Sequence, residues 1–278
     1  MVESVDLLDP KSHFAFGKNW ASYAKLVSEA QVEEAVVGLR RLAGGDLQGK
    51  RFLDIGCGSG LHSLAALRLG ASEVVALDID PESVATTRQL LQLHASGLRW
   101  STLEASVFDL RADSLGRFDV VYSWGVLHHT GDMYRALLAA AALVAPHGQF
   151  IFALYRRTRL CWLWKHEKRW YAAASPAAQA RARAVYVGLH RTMYALTNRG
   201  SFRSYLANYT KKRRGMDFYH DAHDWLGGWP YESISPLQAD RFMQQLGMRQ
   251  VRAFVYAGTA TGLRGSGCDE YVYSPGGR

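Results

Sequence analysis

The sequence predicts an α/β fold, a doubly wound and largely parallel sheet, on three observations. Residues Phe52-Leu53-Asp54-Ile55-Gly56-Cys57-Gly58-Ser59-Gly60 read as a buried strand that breaks into a glycine turn and opens a helix near Leu61. A second apolar run, Val74-Val75-Ala76-Leu77, ends in Asp78, 24 residues after Asp54 and about one helix and one strand further on. Strand-like runs and helical patterns then keep alternating, which calls for parallel strands covered by helices on both faces.

In chain order, residues 20–43 carry apolar positions at helical spacing, and Arg51 to Ile55 form the first strand. A helix over Leu61 to Leu69 leads to the strand Glu73 to Leu77, and Asp80-Pro81-Glu82 starts the next helix. Trp100 to Glu104 and Phe118 to Ser123 are strands three and four. Asp132 caps a helix that ends before Pro146, and Gln149 to Tyr155 is strand five. Near the end, Ala239 to Leu246 reads as a helix, and Arg249 to Tyr256 and Glu270 to Tyr273 as strands. No internal repeat or low-complexity segment interrupts this order.

The glycine turn predicts a pocket. Alternate glycines let the backbone approach a ligand that a Cβ would hold off, and the helix that follows offers free N–H groups to a carboxylate. The turn is neither the six-residue dinucleotide fingerprint nor, lacking a Lys-Ser/Thr pair, a triphosphate loop. A carboxylate at the tip of the second strand, Asp78, suits both hydroxyls of a ribose. Asp78 also reads as a helix cap, and the two roles are compatible.

At this point the chain resembles the class I S-adenosylmethionine-dependent methyltransferases. Five stretches between about residues 50 and 155 carry the resemblance in order: FLDIGCGSG, VVALDID, Glu104 to Asp109, Phe118 to Trp124, and Leu143 to Phe150. It implies a Rossmann-like, seven-stranded methyltransferase sheet whose last two strands form an antiparallel edge, and S-adenosyl-L-methionine as cofactor. By the same resemblance Asp54, Gly56, Cys57, Gly58 and Gly60 line the methionine portion. Asp78 takes the ribose, Ile79 packs on adenine, Ser106 and Val107 meet the adenine edge, and Ser123 and Trp124 close the cofactor from strand four. Trp20, in Phe16-Gly17-Lys18-Asn19-Trp20, joins the cofactor set through a subgroup of the family that shares this front segment.

Composition is compatible with such a fold. The 278 residues are 48% hydrophobic, enough for a full core. The first residues, MVESVDLLDPKSH, are polar and acidic rather than those of a secretory signal, and the longest strictly apolar run, Ala136 to Ala145, is too short to span a bilayer. Cys57, Cys161 and Cys268 are odd in number and widely spaced, which predicts a reducing, cytoplasmic setting without disulfides or a zinc site. The expected organisation is an N-terminal helical lid over residues 1–50, the cofactor core over 51–155, a basic helical cap with a substrate loop over 156–235, and a helix and strands completing the sheet over 236–278.

The charge is concentrated in one place. Lys and Arg number 15 against a single acid over residues 151–214, whereas residues 1–150 carry 13 against 17 and residues 215–278 carry 5 against 7. The net charge of +8 therefore arises in the insertion after strand five. Aromatic residues are interleaved with these cations, a pattern that suits a membrane surface, an anionic small molecule or RNA. Amphipathic helices with buried aromatics and solvated charges give the same pattern.

Beyond it, residues 215–232 pack acids, histidines and aromatics beside Gly227-Gly228 and Pro230, which predicts a binding loop rather than a core helix. The stretch resembles the HDxxDWxGGxP segment of the same methyltransferase subgroup, whose substrates are mostly unassigned. His220, Asp221 and Asp224 match it and are candidate catalytic residues, the His220 and Asp221 pair as an alternative base, whereas His223 departs from it. His129, just beyond strand four, is the first candidate for a substrate-facing base, oriented by Asp221 or Asp224, and its neighbour His128 reads equally as a buried structural histidine. Pairs such as His220-Asp221 are expected to hydrogen-bond rather than bind metal. The expected function is O-methylation of a small-molecule, glycan or lipid-linked acceptor. Methylation of a protein carboxylate or RNA, or a non-catalytic cofactor-binding module, are the alternatives.

Overall fold

The computed structural model describes residues 14, 16–24, 26–197, 201–209, 217–255, 260–263 and 265–276. Among them, β1 (Arg51–Ile55), β2 (Glu73–Asp78), β3 (Trp100–Glu104), β4 (Phe118–Trp124), β5 (Val144–Tyr155), β6 (Met248–Phe254) and β7 (Cys268–Pro275) form one sheet. The strand order is β3-β2-β1-β4-β5-β7-β6. Strands β1 to β5 run parallel and β7 pairs antiparallel with both β5 and β6, the edge that the sequence leads one to expect. The order reverses between β1 and β4, and in open sheets of this kind the crevice beyond the carboxyl ends at that reversal is where ligands bind.

Alternation along the strands builds a core on each face. Leu53 and Ile55 of β1 pack with Met133, Leu137, Ala239 and Met243 on one side, and Phe52 packs with Leu39, Leu64 and Leu91 on the other. The first face is covered by α6 (Met133–Ala141) and, further on, the helix Pro236–Gln245. The second is covered by α2 (Glu29–Ala43), α3 (Leu61–Arg68) and α4 (Pro81–His94). The apolar periodicity of residues 20–43 resolves into two helices, α1 (Phe16–Ala24) and α2, because Ser28 and Gln31 form a capping box that restarts the helix. A short α5 (Ala112–Leu115) precedes β4.

After β5 the insertion builds α7 (Cys161–Ala173), α8 (Pro176–Thr197) and α9 (Phe202–Ala207). The segment expected as a loop is a helix, α10 (Phe218–Gly227), followed by α11 (Pro236–Gln245). Two local causes explain α10. The Asp217 carboxylate accepts from the backbone N–H groups of Tyr219 and His220, and Phe218, Ala222 and Leu226 fall at i, i+4 and i+8 on its buried face. Lys211, Lys212, Arg213 and Arg214, the densest basic run, lie outside the described residues.

Candidate functional site

The glycine loop folds back over the end of β2. Gly56 and Cys57 both donate their N–H to the Leu77 carbonyl, at 2.8 and 2.9 Å. Gly56 has φ +77°, and a Cβ there would overlap the Val126 side chain. The Asp78 carboxylate ties the loop in place, since Oδ2 accepts from Gly58 N and Oδ1 from Asp80 N, both at 3.0 Å. Capping of α4 falls to Asp80, whose Oδ1 accepts from Glu82 N at 2.8 Å.

Helix α1 closes the site from above and is fastened through its first half. Gly17 N donates to Asp80 Oδ2 at 2.9 Å, and Asn19 Nδ2 donates to Asp224 Oδ1 at 2.6 Å and to the His220 carbonyl at 3.1 Å. Just beyond these anchors the Trp20 ring lies over Gly58, where a Cβ would come within 3.2 Å of it.

A cavity of about 540 Å³ opens beneath α1. Its first end is bounded by Asp54, Gly56, Cys57, Gly58, Asp78 and Ile79, with Trp20 and Trp124. Arg41 and Glu270 complete that end. Arg41 Nη2 lies 2.5 Å from Glu270 Oε2, and Glu270 Oε1 accepts from Trp124 Nε1 at 2.9 Å. The opposite end is aromatic, walled by Tyr155, Tyr186, Tyr205, Tyr209, Phe218 and Trp225, with His129, His190, Asp221 and Asp224 among them.

Charge inside this cavity is opposite to that of the cap. Among the described residues its walls carry six acids, Asp54, Asp78, Asp80, Asp221, Asp224 and Glu270, against one Arg or Lys, Arg41. Burial pushes Asp54 up to about 7, partly offset by the Ser63 hydroxyl donating at 2.6 Å. Burial likewise raises Asp78 to about 6, against the pull of the Asp80 and Gly58 N–H groups. Asp224 is held well above the usual carboxylate range by burial, although Asn19 donates to it.

His129 Nδ1 lies 2.7 Å from the Pro230 carbonyl. A carbonyl only accepts, so Nδ1 carries the proton and Nε2 is the basic nitrogen of the ring. The residue that orients His129 is thus Pro230, which follows a cis peptide bond after Trp229, rather than the expected carboxylate. Asp221 accepts instead from the Tyr209 hydroxyl, and Asp224 from Asn19. Gly228 makes room for the imidazole, because a Cβ there would press on Cε1 at 2.6 Å.

Other expected residues stand apart from the cavity. Gly60 is the N-cap of α3, facing Thr87, and Ser123 is buried with its hydroxyl donating to the Ile55 carbonyl at 3.0 Å. Ser106 caps a 3-10 turn by accepting from Phe108 N, and Val107 sits in the core. His220 has Nδ1 2.8 Å from Asp217 and Nε2 3.2 Å from Ser22 Oγ. His223, the departure from the motif, contacts the Tyr171 hydroxyl at 2.7 Å and Arg183 at 3.2 Å, and burial lowers it to about 4. His128 is fully buried with neither ring nitrogen hydrogen-bonded, and burial pushes its pKa well down, so its ring is neutral packing against Tyr155.

Sequence reasoning missed Arg41 as a wall residue, and 229 positions separate it from its partner Glu270. Only the sheet's closing strand β7 joins them. The cavity role of Tyr186 and His190 was equally hidden, although their i, i+4 spacing on a helix was a usable signal.

A family model described as a methyltransferase domain matches residues 28–210, well over half of the chain. The ubiquinone biosynthesis O-methyltransferase of Xanthomonas euvesicatoria pv. vesicatoria is 39% identical over 115 residues, covering 41% of this chain and 46% of that protein. The chain thus spans about half the length of the curated relatives it matches. Among solved structures, PKMT2 from Rickettsia typhi in complex with AdoHcy aligns with a TM-score of 0.58 at 14% identity, over 87% of this chain and 52% of that one. Magnesium protoporphyrin IX methyltransferase from Synechocystis PCC 6803 with bound SAH aligns with a TM-score of 0.51 at 15% identity, over 88% and 81%. With the strand order, the glycine loop under β2 and the family match together, this chain belongs to the class I methyltransferases that use S-adenosylmethionine.

Proposed function

We propose that this protein methylates a hydroxyl of a flat aromatic small molecule, with His129 taking the proton. S-adenosylmethionine supplies a methyl already activated on a positively charged sulfur. The first end of the cavity suits that molecule chemically. Asp54 is buried and Asp78 half-buried, both carboxyls are raised by desolvation, and hydroxyl and ammonium donors relieve that burden. Arg41 matches a methionine carboxylate, Glu270 and Asp54 match its ammonium, and Asp78 matches the ribose hydroxyls. Trp20 shields this end from water.

The observation that carries the reading is continuity: one cavity runs from the glycine loop to His129 and an aromatic wall. Flat rings stack on Tyr155, Tyr186 and Phe218, and a hydroxyl held near His129 loses its proton to Nε2. Alignment of the acceptor by these walls supplies much of the rate, because the reaction needs in-line approach more than activation. Among the described residues no Arg or Lys lines the aromatic end, which leaves a carboxylate or phosphate there without a cationic partner, so the acceptor is neutral at that end. The Xanthomonas relative is named as an O-methyltransferase, in keeping with an oxygen acceptor.

The test is His129→Gln. Turnover with a phenolic acceptor should fall by about a hundredfold to ten-thousandfold, the usual worth of a general base. Calorimetric affinity for S-adenosylmethionine should stay within about threefold, because the base acts in the transition state. Undiminished turnover, or loss of cofactor binding in step with turnover, removes the base assignment.

A further inference from the structure

We infer that the cap docks on an anionic lipid surface through the outer faces of α7 and α8. Helix α7 exposes Trp162 at 63% and Trp170 at 54%, two turns apart, with Leu163 also open and Lys165 and Arg169 alongside. Helix α8 exposes Val185, Leu189 at 65% and Leu196 at 82%, spaced four and seven residues apart and therefore on one stripe. Such a row of large apolar side chains in water marks an interaction surface. No residue of α8 is buried, and its other side, with Tyr186 and His190, lines the cavity.

Charge selects the occupant. The insertion carries 15 Lys and Arg against one acid over residues 151–214, whereas the cavity behind it is acidic. On α7 and α8 Lys165, Arg169, Arg181 and Arg191 are exposed and none of them lines the cavity, so these cations are open to a partner outside the reaction site. An anionic bilayer offers both halves of what this face presents: an interfacial zone that tryptophan favours, acyl chains for Leu and Val, and headgroups for the cations. RNA fits less well, since aliphatic side chains neither stack on bases nor pair with them. A second copy of the chain fits less well still, because a two-fold interface would set the same cationic patch against itself. Among the described residues no helix is long and apolar enough to cross a membrane, so the contact is with the surface.

The experiment uses the full chain with vesicles of phosphatidylcholine alone or mixed with phosphatidylglycerol, scored by co-sedimentation and by tryptophan quenching with brominated lipid. Binding to the anionic vesicles should exceed that to neutral ones by at least about tenfold and weaken with salt, as expected for several cations near a charged surface. Trp162→Ser with Leu189→Ser should reduce binding and quenching by about tenfold, as expected from lost apolar insertion. The same variant should leave affinity for S-adenosylhomocysteine unchanged, which shows that it folds. Lys165→Glu with Arg169→Glu is the second variant and should abolish the preference for anionic vesicles. Equal binding to both vesicles, absence of quenching, or retention of binding in both variants overturns the proposal. So does RNA binding that ignores the apolar variant, or a concentration-dependent dimer that the apolar variant dissolves.

Discussion

Asp78→Asn separates the two things Asp78 does. Its oxygens accept from Gly58 N and Asp80 N at 3.0 Å each, and an amide keeps only one acceptor, so one backbone N–H loses its partner at a cost of about 1–3 kcal/mol. Against this, a neutral side chain lifts the penalty of holding an ionised carboxyl whose pKa rises from 3.8 to about 6. At neutral pH that penalty is at most about 3 kcal/mol, less what water reaching this part-exposed group screens. The two nearly cancel, and the melting temperature should move little. The ribose hydroxyls, by contrast, lose a charged acceptor worth about 1.5–3 kcal/mol, so affinity for S-adenosylhomocysteine should fall by roughly tenfold to a hundredfold. Calorimetric titration beside a thermal melt reads both. Unchanged affinity refutes the ribose role, and a large fall in melting temperature matched by a loss of affinity leaves Asp78 as only the tether of the glycine loop.

Asp54→Asn tests the cost of the buried carboxyls. Folded Asp54 holds its proton up to about 7 while the unfolded chain releases it near 3.8, so wild-type stability from this group falls as pH rises through that window. In urea titrations the variant should gain on wild type between those values by up to about 4 kcal/mol, and a constant difference contradicts the shift. Arg41→Gln removes the single Arg or Lys described on the cavity wall and leaves Glu270 without its ion-pair partner. Cofactor affinity should drop by about tenfold or more, the worth of a charge-assisted hydrogen bond, and an unaltered dissociation constant removes Arg41 from the methionine end.

The fold was legible in the sequence because its signals are local. The glycine turn at Gly56, the carboxylate at Asp78, the Asp80-Pro81 helix start and the Asp132 cap each need only a few neighbours to act, and each stands where periodicity places it. The HDxxDW stretch misled because glycine and proline beyond it argue for a loop, while the capping carboxylate of Asp217 and the i, i+4 pair Phe218 and Ala222 win. The reacting end was the least legible part. His129 is oriented by a backbone carbonyl, and backbone carbonyls carry no sequence signal. Arg41 meets Glu270 only when β7 closes against β5. The acidity of the cavity was masked by the basic cap, whose charge sets the net value of +8 although none of its described Lys or Arg lines the cavity.

The central claim, methyl transfer to a neutral aromatic hydroxyl, is tested most directly by transfer of label from methyl-tritiated S-adenosylmethionine to a panel of phenols and catechols by the purified protein, with the product then treated with alkali. Label should appear in an aromatic ether extracted into organic solvent, survive the alkali, and fall with His129→Gln. Label released as methanol by alkali would show a carboxyl ester, and label confined to protein or RNA would show another acceptor. Either result, or no transfer by a protein that binds the cofactor, would contradict the account.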